Sequence, residues 1–449
     1  MKIVCIGAGP AGLYFALSAK LRDPDRDIRV IERDPRGATY GWGVVYWDDM
    51  LDLLYVNDQE SAREIRRVST LWKDQEIHLT GEVAHLGGYG FAVQRAAFLE
   101  ALAARAGEVG VSVEYEHPVD DLAEFSDADL IVAADGAGSR TRKLHGDHFG
   151  TRTEEGGNPY IWLGTDKVFD SFVFAFEQTP AGWLWFHAYP SSGTVSTCIV
   201  ECTERTWRAL GMDQRTEADG IEFLADIFQR PLQGHSLISQ SRGEPAEWLR
   251  FKQVTNTTWW HENVVLIGDA AHTTHFTIGS GTRLAVIDSV ELVRSLDDFP
   301  DDLPAALRDF DERAHPNLKR IQARARGSMD WYEHADDYLS GRSAVDAAFA
   351  MASRNSSQRP SRYLRFRSEQ LWPVRRARSV RDNAHRLHMA ARRGEIAFVP
   401  SWHPGPPPAG RSRPDAPSPA AAGTPESTAG VLEPSTANGV GVGEGAPNG

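Results

Sequence analysis

The fold of this chain is decided near its N-terminus by the motif Gly7-Ala8-Gly9-Pro10-Ala11-Gly12. The motif follows an apolar stretch at 2–6 and opens a helical pattern over 11–21, and a second apolar stretch follows at 28–32. Strand, glycine turn, helix and strand in this order are typical of a dinucleotide-binding unit. Gly7 permits the tight turn, Gly9 lets a pyrophosphate approach the backbone, and Gly12 lets helix and strand pack closely. The helix start at Pro10 and Ala11 favours the anion.

An acidic residue ends the second strand of this unit. Glu32 lies twenty residues after Gly12, where a carboxylate can accept hydrogen bonds from a ribose diol. Arg33 next to it suggests contact with a 2′-phosphate, and a surface arginine is the alternative. We predict that both residues belong to the dinucleotide site.

Two further motifs place an aspartate beside a glycine after an apolar strand. Asp135-Gly136 follows the stretch 130–134 and continues to Arg142 as D-G-x-x-S-x-x-R. Gly268-Asp269 follows the stretch 264–267 and leads to a turn at 279–282. Because ligands of open α/β sheets bind at the carboxyl ends of the strands, we expect Asp135 and Asp269 to point into the same crevice as the first motif.

The middle of the chain has a different pattern. From Tyr160 to Glu201, aromatic and small residues alternate with period two between turn signals, which indicates antiparallel strands. From Leu284 to about Arg393 the apolar spacing is helical. We therefore predict an α/β fold: a Rossmann-like parallel sheet in 1–155, an inserted antiparallel domain in 156–255, a completing segment with C-terminal helices in 256–400, and a disordered Pro- and Ala-rich tail in 403–449.

Composition excludes several classes of protein. The 449 residues carry a net charge of −14, which argues against general nucleic-acid binding, and no apolar run is long enough for a membrane span. Three cysteines without C-x-x-C spacing exclude a disulfide framework and predict a cytoplasmic location. His272 and His275 lack further ligands nearby in the sequence, so we predict no metal site.

Together the three motifs resemble the group A flavoprotein aromatic monooxygenases, which share the para-hydroxybenzoate hydroxylase-like fold. The resemblance covers about residues 1–340 and implies FAD as a non-covalent cofactor. By position, it places Glu32 at the adenosine ribose, Asp135 near the pyrophosphate and Asp269 near the ribityl chain. It also implies that Arg95 contacts the cofactor. The N–H groups of Gly281 and Thr282 would face the pyrimidine edge of the flavin.

The sequence departs from the general family pattern at two positions of the third motif. Phe276 stands where proline is usual, and Thr282 stands where asparagine is usual. With the stretches 41–46, 160–165 and 187–190, these positions are similar to a narrower branch that hydroxylates aryl-CoA thioesters. The branch implies salicylyl-CoA, converted to gentisyl-CoA, or anthraniloyl-CoA as substrate. It also implies NADH or NADPH as transient reductant, O2 as co-substrate and a flavin C4a-hydroperoxide as the oxygen donor; the oligomeric state stays open.

Candidate catalytic and substrate residues lie on the alternating strands and in one loop. His187 stands among aromatic residues, where an imidazole can position or deprotonate a ring substituent. Tyr46 is the second catalytic candidate, and Trp47, Trp185 and Tyr189 are candidates for the substrate pocket. For each of them, a purely structural place in the core is the alternative.

The segment 354–393 contains twelve arginines and no lysine against two acidic residues. It is either a solvated helix surface or a site for the phosphates of a CoA thioester, since arginine binds phosphate in a bidentate manner. Two other functions stay open: a hydroxylase of indole or tryptophan-derived compounds, and a non-catalytic relative comparable to the GDP-dissociation inhibitors. A dithiol flavin reductase is excluded because the cysteines are not paired.

Overall fold

The computed structural model describes residues 1–38, 41–239, 245–356 and 358–396. The predicted tail at 403–449 and the last residues of the segment 256–400 lie outside them. Within these ranges, no helix has the length and apolar character needed to cross a membrane.

The strands in chain order are β1 (Lys2–Ile6), β2 (Asp27–Ile31), β3 (Gly43–Tyr46), β4 (Thr70–Lys73), β5 (Gln75–Leu79), β6 (Glu82–His85), β7 (Tyr89–Gln94), β8 (Ser112–Glu114), β9 (Leu130–Ala133), β10 (Arg152–Thr165), β11 (Phe172–Thr179), β12 (Gly182–Pro190), β13 (Ser196–Cys202), β14 (Leu237–Ile238), β15 (Trp248–Thr255), β16 (Trp260–His261) and β17 (Val264–Leu266). The α-helices are α1 (Pro10–Arg22), α2 (Asp48–Asn57), α3 (Gln59–Arg67), α4 (Arg95–Glu108), α5 (Arg140–Leu144), α6 (Glu204–Ala209), α7 (Glu217–Ile227), α8 (Gln229–Leu232), α9 (Gly281–Asp298), α10 (Leu303–Glu333), α11 (Ala335–Leu339), α12 (Ala344–Ala352), α13 (Pro360–Ser368) and α14 (Trp372–Arg392).

A six-stranded sheet carries the three glycine motifs. Its strand order is β16-β17-β9-β1-β2-β8, and all of its pairs are parallel except β16 with β17. Ile6 pairs with Ala133, and Ala133 pairs with Leu266, so the carboxyl ends of β1, β9 and β17 lie side by side. The predicted parallel sheet is confirmed, with strand ends that differ by about one residue. Its strands are apolar throughout because both faces are covered.

A larger, mostly antiparallel sheet follows the order β14-β10-β13-β12-β11-β5-β6, and β15 pairs with β10. The antiparallel character predicted from 156–255 is confirmed, but the sheet extends beyond that segment. It begins at Arg152, and β5 and β6 join it from the first part of the chain, with β5 parallel to β11. Strand β5 belongs here because Ile77 and Leu79 alternate inward and extend the apolar face, and β6 adds Ala84 to the same core.

Three apolar cores result from this arrangement. The first lies between the parallel sheet and helices that include α1, α4 and α9. The second joins one face of the larger sheet to α10, α11 and α12, and it is rich in aromatic residues. The third lies on the opposite face of the larger sheet, under α7 and α8. The helical spacing predicted after Leu284 is confirmed by α9 to α14.

A small sheet with the order β3-β7-β4 lies between the first two cores. Alternate residues of β7 point to different sides: Phe91 and Val93 belong to the first core, and Ala92 belongs to the second. This sheet therefore forms the shared wall between the nucleotide-binding part and the aromatic core.

Candidate active site

The glycine fingerprint forms a turn that only glycine fits. Gly7 has a φ of +108°, and a Cβ there would lie 2.4 Å from the carbonyl oxygen that follows β9. A Cβ on Gly12 would lie 2.0 Å from the Gly7 carbonyl oxygen and 3.0 Å from the Sγ of the buried Cys5. Gly9 is the N-cap of α1, and Pro10 is its first residue. The turn therefore brings backbone N–H groups and a helix N-terminus to the edge of the sheet, as anion binding requires.

Glu32 lies just past β2, half-buried beside this turn. Its Oε2 accepts a hydrogen bond of 2.7 Å from the Ala8 N–H, and its Oε1 accepts one of 3.0 Å from the Asp34 N–H. Each carboxylate oxygen keeps a second lone pair for a ligand hydroxyl. The Arg33 side chain is 68% exposed and reaches Asp34 at 3.4 Å. The structure thus brings Glu32 to the nucleotide turn, whereas Arg33 lies beside it facing solvent.

Asp135 shapes the second loop. Its Oδ1 accepts a hydrogen bond of 2.5 Å from the Ser139 hydroxyl, and its Oδ2 accepts one of 3.0 Å from the Thr141 N–H. Gly136 has a φ of +80°, which lets the chain turn sharply after the strand. The Asp135 carboxylate therefore stabilises the conformation of its own loop, and the loop in turn forms the surface that a ligand would contact.

Arg142 is a site residue to which the sequence analysis gave no role. It is buried, and its guanidinium donates hydrogen bonds to the carbonyls of Ala137 at 2.6 Å and Ala270 at 2.7 Å. These carbonyls belong to the second and third loops. Arg142 therefore fixes the distance between the two loops. Its sequence signal was the arginine at the end of the second motif.

Asp269 and Arg95 are near neighbours in the crevice, and their charges interact. The Asp269 side chain is accessible to solvent, yet the protein around it raises the pKa of its carboxyl by desolvation. The Nε of Arg95 is buried and has no hydrogen-bond partner among the described residues, and burial lowers the pKa of its guanidinium. These two predicted positions therefore offer an acceptor and a buried donor to a ligand.

The third loop ends at the N-terminus of α9, which is eighteen residues long. Its N-cap, Ser280, makes no side-chain cap, because its hydroxyl pairs with that of Thr274 at 2.7 Å. The N–H groups of Gly281 and Thr282 are in the first turn, where helix N–H groups have no partner within the helix. His272 is structural: its Nε2 lies 2.8 Å from Asp288 Oδ2, inside the first core.

These residues fit FAD. The three loops start at the adjacent ends of β1, β9 and β17, as the sequence predicted. Two helix N-termini suit phosphate and flavin oxygens, and two carboxylates suit ribose and ribityl hydroxyls. The buried Nε of Arg95 lacks a partner in the part of the chain that the structure describes. The turn at Gly7 leaves no room for a side chain.

The second core presents an aromatic wall to this crevice. His187 is 2% exposed and lies among the rings of Phe174, Tyr332 and Phe276, at centroid distances of 5.1, 5.0 and 6.0 Å. Phe276 belongs to the third loop, so the wall meets the nucleotide site here. Within the described ranges, the Nε2 of His187 is buried without a hydrogen-bond partner. Burial lowers the pKa of His187 to about 3, so the ring is neutral at pH 7.

Two predicted wall residues are held by polar contacts. Trp185 Nε1 donates a hydrogen bond of 3.2 Å to Glu201 Oε2, and Asn158 donates one of 2.8 Å to Glu201 Oε1. Desolvation raises the pKa of the buried Glu201 to about 7. The Tyr189 hydroxyl donates to the Gly43 carbonyl at 2.8 Å. Sequence reasoning gave Glu201 no role, because nothing in its strand pattern shows which face it occupies.

Tyr46 and Trp47 lie on opposite sides of the small sheet. The Tyr46 hydroxyl donates a hydrogen bond of 2.5 Å to Ser69 in the first core, and burial raises its pKa. Trp47 contacts Trp72 edge-on at 6.1 Å and would lie 3.1 Å from a Cβ on Gly279. Consecutive residues of a strand point to opposite faces. The structure therefore brings Trp47, but not Tyr46, to the side where His187 lies.

A polar chain connects the third loop to the helices that follow it. His275 Nδ1 pairs with Thr277 Oγ1 at 2.8 Å, Thr277 pairs with Ser328 at 2.9 Å, and Arg354 Nε donates to Ser328 at 2.8 Å. Burial lowers the pKa of His275 to about 3. Arg354, the first arginine of the segment 354–393, is thus built into the wall and does not belong to the solvated surface.

Asp74, Glu76 and His85 place possible metal-ligand atoms within 4.8 Å of one another. Asp74 is already engaged: its Oδ1 accepts a hydrogen bond of 2.6 Å from the Gly87 N–H, and its Oδ2 lies 2.9 Å from His85 Nδ1. The cluster therefore stabilises the turn around β5 and β6, and we assign it no metal.

The fold and the crevice define an FAD-binding protein. A family model described as "FAD binding domain" matches residues 83–321. Salicyloyl-CoA 5-hydroxylase from a Streptomyces species is 38% identical over 76% of this chain; the chain covers 66% of that protein's length, slightly less than two thirds. The 3-hydroxy-4-methyl-anthranilyl-[aryl-carrier protein] 5-monooxygenase of Streptosporangium sibiricum is 36% identical over 75% of this chain and 90% of its own length.

Among solved structures, the tetrameric form of 2-methyl-3-hydroxypyridine-5-carboxylic acid oxygenase is similar, with a TM-score of 0.61 and 19% identity. The match covers 79% of this chain and 96% of that one, and it concerns the fold. The chain belongs to the FAD-binding-domain family, among its flavin-dependent aromatic monooxygenases, and its cofactor is FAD. The predicted family and cofactor are confirmed.

Proposed function

We propose that this chain uses NADH or NADPH and O2 to hydroxylate the ring of an aromatic acid that is held as a thioester. Salicylyl-CoA, which would give gentisyl-CoA, and anthraniloyl-CoA are the substrates we favour. Two relatives support a thioester: one is named for salicyloyl-CoA, and the other for an anthranilyl group on an aryl-carrier protein. The proposal rests on one structural observation. The buried Nε2 of His187 has no hydrogen-bond partner among the described residues of the aromatic wall beside the third loop.

When bound, FAD supplies the electron transfer and the O2 activation that ring oxygenation requires. The chain's own residues hold and orient it. The first turn and α1 bind the diphosphate, Glu32 binds the adenosine ribose, and Asp269 binds the ribityl hydroxyls. Arg95 donates to the cofactor through its buried Nε. Asp135 and Arg142 set the positions of the second and third loops.

His187 would bind the substituent next to the thioester. A neutral imidazole protonated on Nδ1 accepts a hydrogen bond at Nε2, and an ortho hydroxyl or amine has a proton to donate. Accepting this hydrogen bond at Nε2 polarises the O–H or N–H bond of the substituent and increases electron density on the ring that is to be oxygenated. The low pKa of His187 keeps this nitrogen available throughout the neutral range.

The aromatic wall would exclude water from the reacting ring. Trp185 is fully buried and Tyr189 is 4% exposed, and both are fixed by hydrogen bonds as well as by packing. A dry site strengthens the electrostatic interactions within it and suppresses side reactions with water. Trp47 would close the same space from the side of α2.

The test uses the purified full-length chain, reduced with NADH and with NADPH in separate reactions. We expect a yellow protein whose NAD(P)H consumption is stimulated by salicylyl-CoA or anthraniloyl-CoA. With labelled O2, mass spectrometry should find one labelled oxygen on the ring of the product. A colourless protein, or thioesters that accelerate NAD(P)H oxidation without labelled product, would contradict the proposal.

A second candidate substrate class is an indole or tryptophan-derived compound. The protodeoxyviolaceinate monooxygenase of Chromobacterium violaceum is 31% identical and is covered over 91% of its length. The same assay with indole compounds distinguishes the classes, because only the true class gives both stimulation and labelled product. The non-catalytic alternative is not supported, since these relatives are named as oxygenating enzymes. A cytoplasmic location remains part of the proposal; all three cysteines are free and buried.

A further inference from the structure

The last described helix, α14, buries a charged residue against the body of the protein. Three residues of the helix are buried: Arg378, and Ala390 and Ala391 near its end. Arg393, just after the helix, lies 2.8 Å from both Asp48 and Asp52, and Arg378 lies 3.5 Å from Glu369. A helix normally turns its apolar side to the protein, so the outward side of α14 requires an explanation.

The outward side carries an apolar stripe. The residues of this α14 stripe are spaced four and three apart and all are exposed: Pro373, Ala377, Val380, Ala384 and Leu387. Val380 is 62% exposed and Leu387 is 42% exposed. Trp372, at 68%, and Leu371, at 60%, extend the apolar surface at the start of the helix. Spacing of this kind suits contact with another helix, and a contiguous exposed apolar surface is typical of a protein-binding site.

Arginines flank the α14 stripe on both sides. Arg376 precedes it on one side and Arg381 follows it on the other, and both side chains are exposed. A symmetric contact between the α14 stripes of two copies would bring these arginines together, and like charges across an interface are unfavourable. An acidic partner would complement them, so the charge pattern favours a different, acidic protein.

The C-terminal part of α14 is near the start of α2. Arg393 is bonded to Asp48, which directly follows Trp47, and Trp47 contacts the third loop at Gly279. The Tyr89 hydroxyl bonds to Asp48 as well, and the Tyr89 ring lies 6.3 Å from that of His385 on α14. A partner bound to the outward side of α14 would therefore be separated by this helix from Asp48, the residue that follows Trp47.

We propose that the α14 stripe and its flanking arginines bind an acidic carrier protein that presents the thioester-linked aromatic acid. The inference rests on the proposed function and narrows its substrate to one delivered on a protein. This chain covers 90% of the length of a relative that is named for a substrate on an aryl-carrier protein. A carrier protein and CoA share the phosphopantetheine arm, so CoA thioesters would react as smaller analogues. Binding of the CoA phosphates would depend on the arginines alone, whereas binding of a carrier protein would also depend on the α14 stripe.

The experiment compares KM values of the full chain for a salicyl-loaded acidic aryl-carrier domain and for salicylyl-CoA. The variants are the double substitution Val380→Glu with Leu387→Glu and, separately, Arg376→Glu with Arg381→Glu. Val168→Glu, at an exposed residue in the loop before β11, is the matched control. We expect both double variants to raise KM for the carrier about tenfold or more, and KM for salicylyl-CoA less than about twofold. FAD content and melting temperature should match those of the control.

Each other outcome overturns the inference in a distinct way. An equal rise in both KM values after arginine reversal would assign the arginines to CoA phosphates. Unchanged KM values would make α14 a solvated surface. Binding to phosphatidylserine vesicles that Leu387→Glu abolishes, or a dimer that Val380→Glu dissociates, would assign the stripe to a membrane or to a second copy. A wild-type chain that oxygenates neither thioester would refute the proposed function itself, whereas turnover with unaffected KM values refutes only the carrier.

Discussion

The two sides of the active-site crevice hold their polar groups in different ways. On the nucleotide side, Glu32 and Asp135 accept hydrogen bonds from backbone N–H groups within their own or neighbouring loops. On the aromatic side, His187 has an unpartnered Nε2, and Glu201 is bonded to two side chains from other strands. The first side is local in sequence and partly open to solvent, whereas the second is assembled from distant strands and closed.

This difference separates two tasks. A diphosphate and its sugars are bound by backbone geometry, which a short motif can specify. A reacting ring needs a dry, shaped space with few polar groups, and burial then shifts the pKa of each of those groups. The nucleotide side should therefore be sensitive to backbone changes, and the aromatic side to changes of single side chains and of pH.

The largest effect is expected from Gly12→Ala. The new Cβ would lie 2.0 Å from the Gly7 carbonyl oxygen, which is backbone and cannot move away cheaply. We expect loss of bound FAD and a melting temperature lowered by several degrees, since overpacking of this kind costs about 1–3 kcal/mol. Visible flavin absorbance measures the first effect and thermal unfolding the second. Gly107→Ala, where nothing lies within 4 Å, is the control and should keep its FAD.

The next largest effect is expected from His187→Leu. The variant should keep FAD but lose about 100-fold in kcat for the thioester, because the acceptor for the hydrogen bond of the ortho substituent is gone. Stability gives a second readout. The pKa of His187 is about 3 in the folded chain and 6.5 ordinarily, so the unfolded chain binds the additional proton and wild-type stability falls as pH drops from about 6.5 toward 3. The melting temperature of the variant relative to wild type should therefore rise as pH drops over that range. An unchanged kcat would show that His187 takes no part in the reaction.

A smaller effect is expected from Asp269→Asn. The substitution keeps the shape but removes the charge next to Arg95, and we expect about a tenfold weaker FAD affinity, measured by titration of the apoprotein. Arg33→Ala is the comparison, since its side chain faces solvent; it should change the affinity less than about twofold. A larger loss of FAD affinity in Arg33→Ala than in Asp269→Asn would contradict this assignment and indicate that Arg33 contacts the adenosine end of FAD.

The smallest effect is expected from Glu201→Gln, and it has the opposite sign to that of His187. The pKa of Glu201 is about 7 in the folded chain and 4.5 ordinarily, so its contribution to stability is present below about 4.5 and is lost as pH rises toward 7. The melting temperature of the variant should therefore rise relative to wild type between about pH 5 and 8. Parallel melting curves over this range would show that Glu201 is ionised with an ordinary pKa.

The nucleotide side was predictable because each of its parts is local. The positions of Gly7, Asp135 and Asp269 after apolar strands were enough to predict one crevice, since the ends of parallel strands meet at one edge. The bridge made by Arg142 was not predicted from the sequence. Its two acceptors, the carbonyls of Ala137 and Ala270, belong to different loops and are 133 residues apart in the chain.

The aromatic side was predictable in type but not in arrangement. Alternation identified Trp185, His187 and Tyr189 as one face of a sheet. It could not show that β5 joins that sheet, or that Tyr46 turns into the first core. Both depend on how distant segments pair, and that information is absent from a local pattern. The pKa of Glu201 likewise depends on burial by several elements together.

The reactivity of the Cys5 thiol reports on the conformation of the nucleotide site. Its thiol lies directly beneath the Gly12 position, fully shielded, and desolvation raises its pKa above the ordinary value. Alkylation requires an exposed thiolate, so a maleimide can react there only after the first turn separates from its strand. The rate of modification at this one atom, followed by peptide mass, would thus time the opening of the dinucleotide-binding turn in solution.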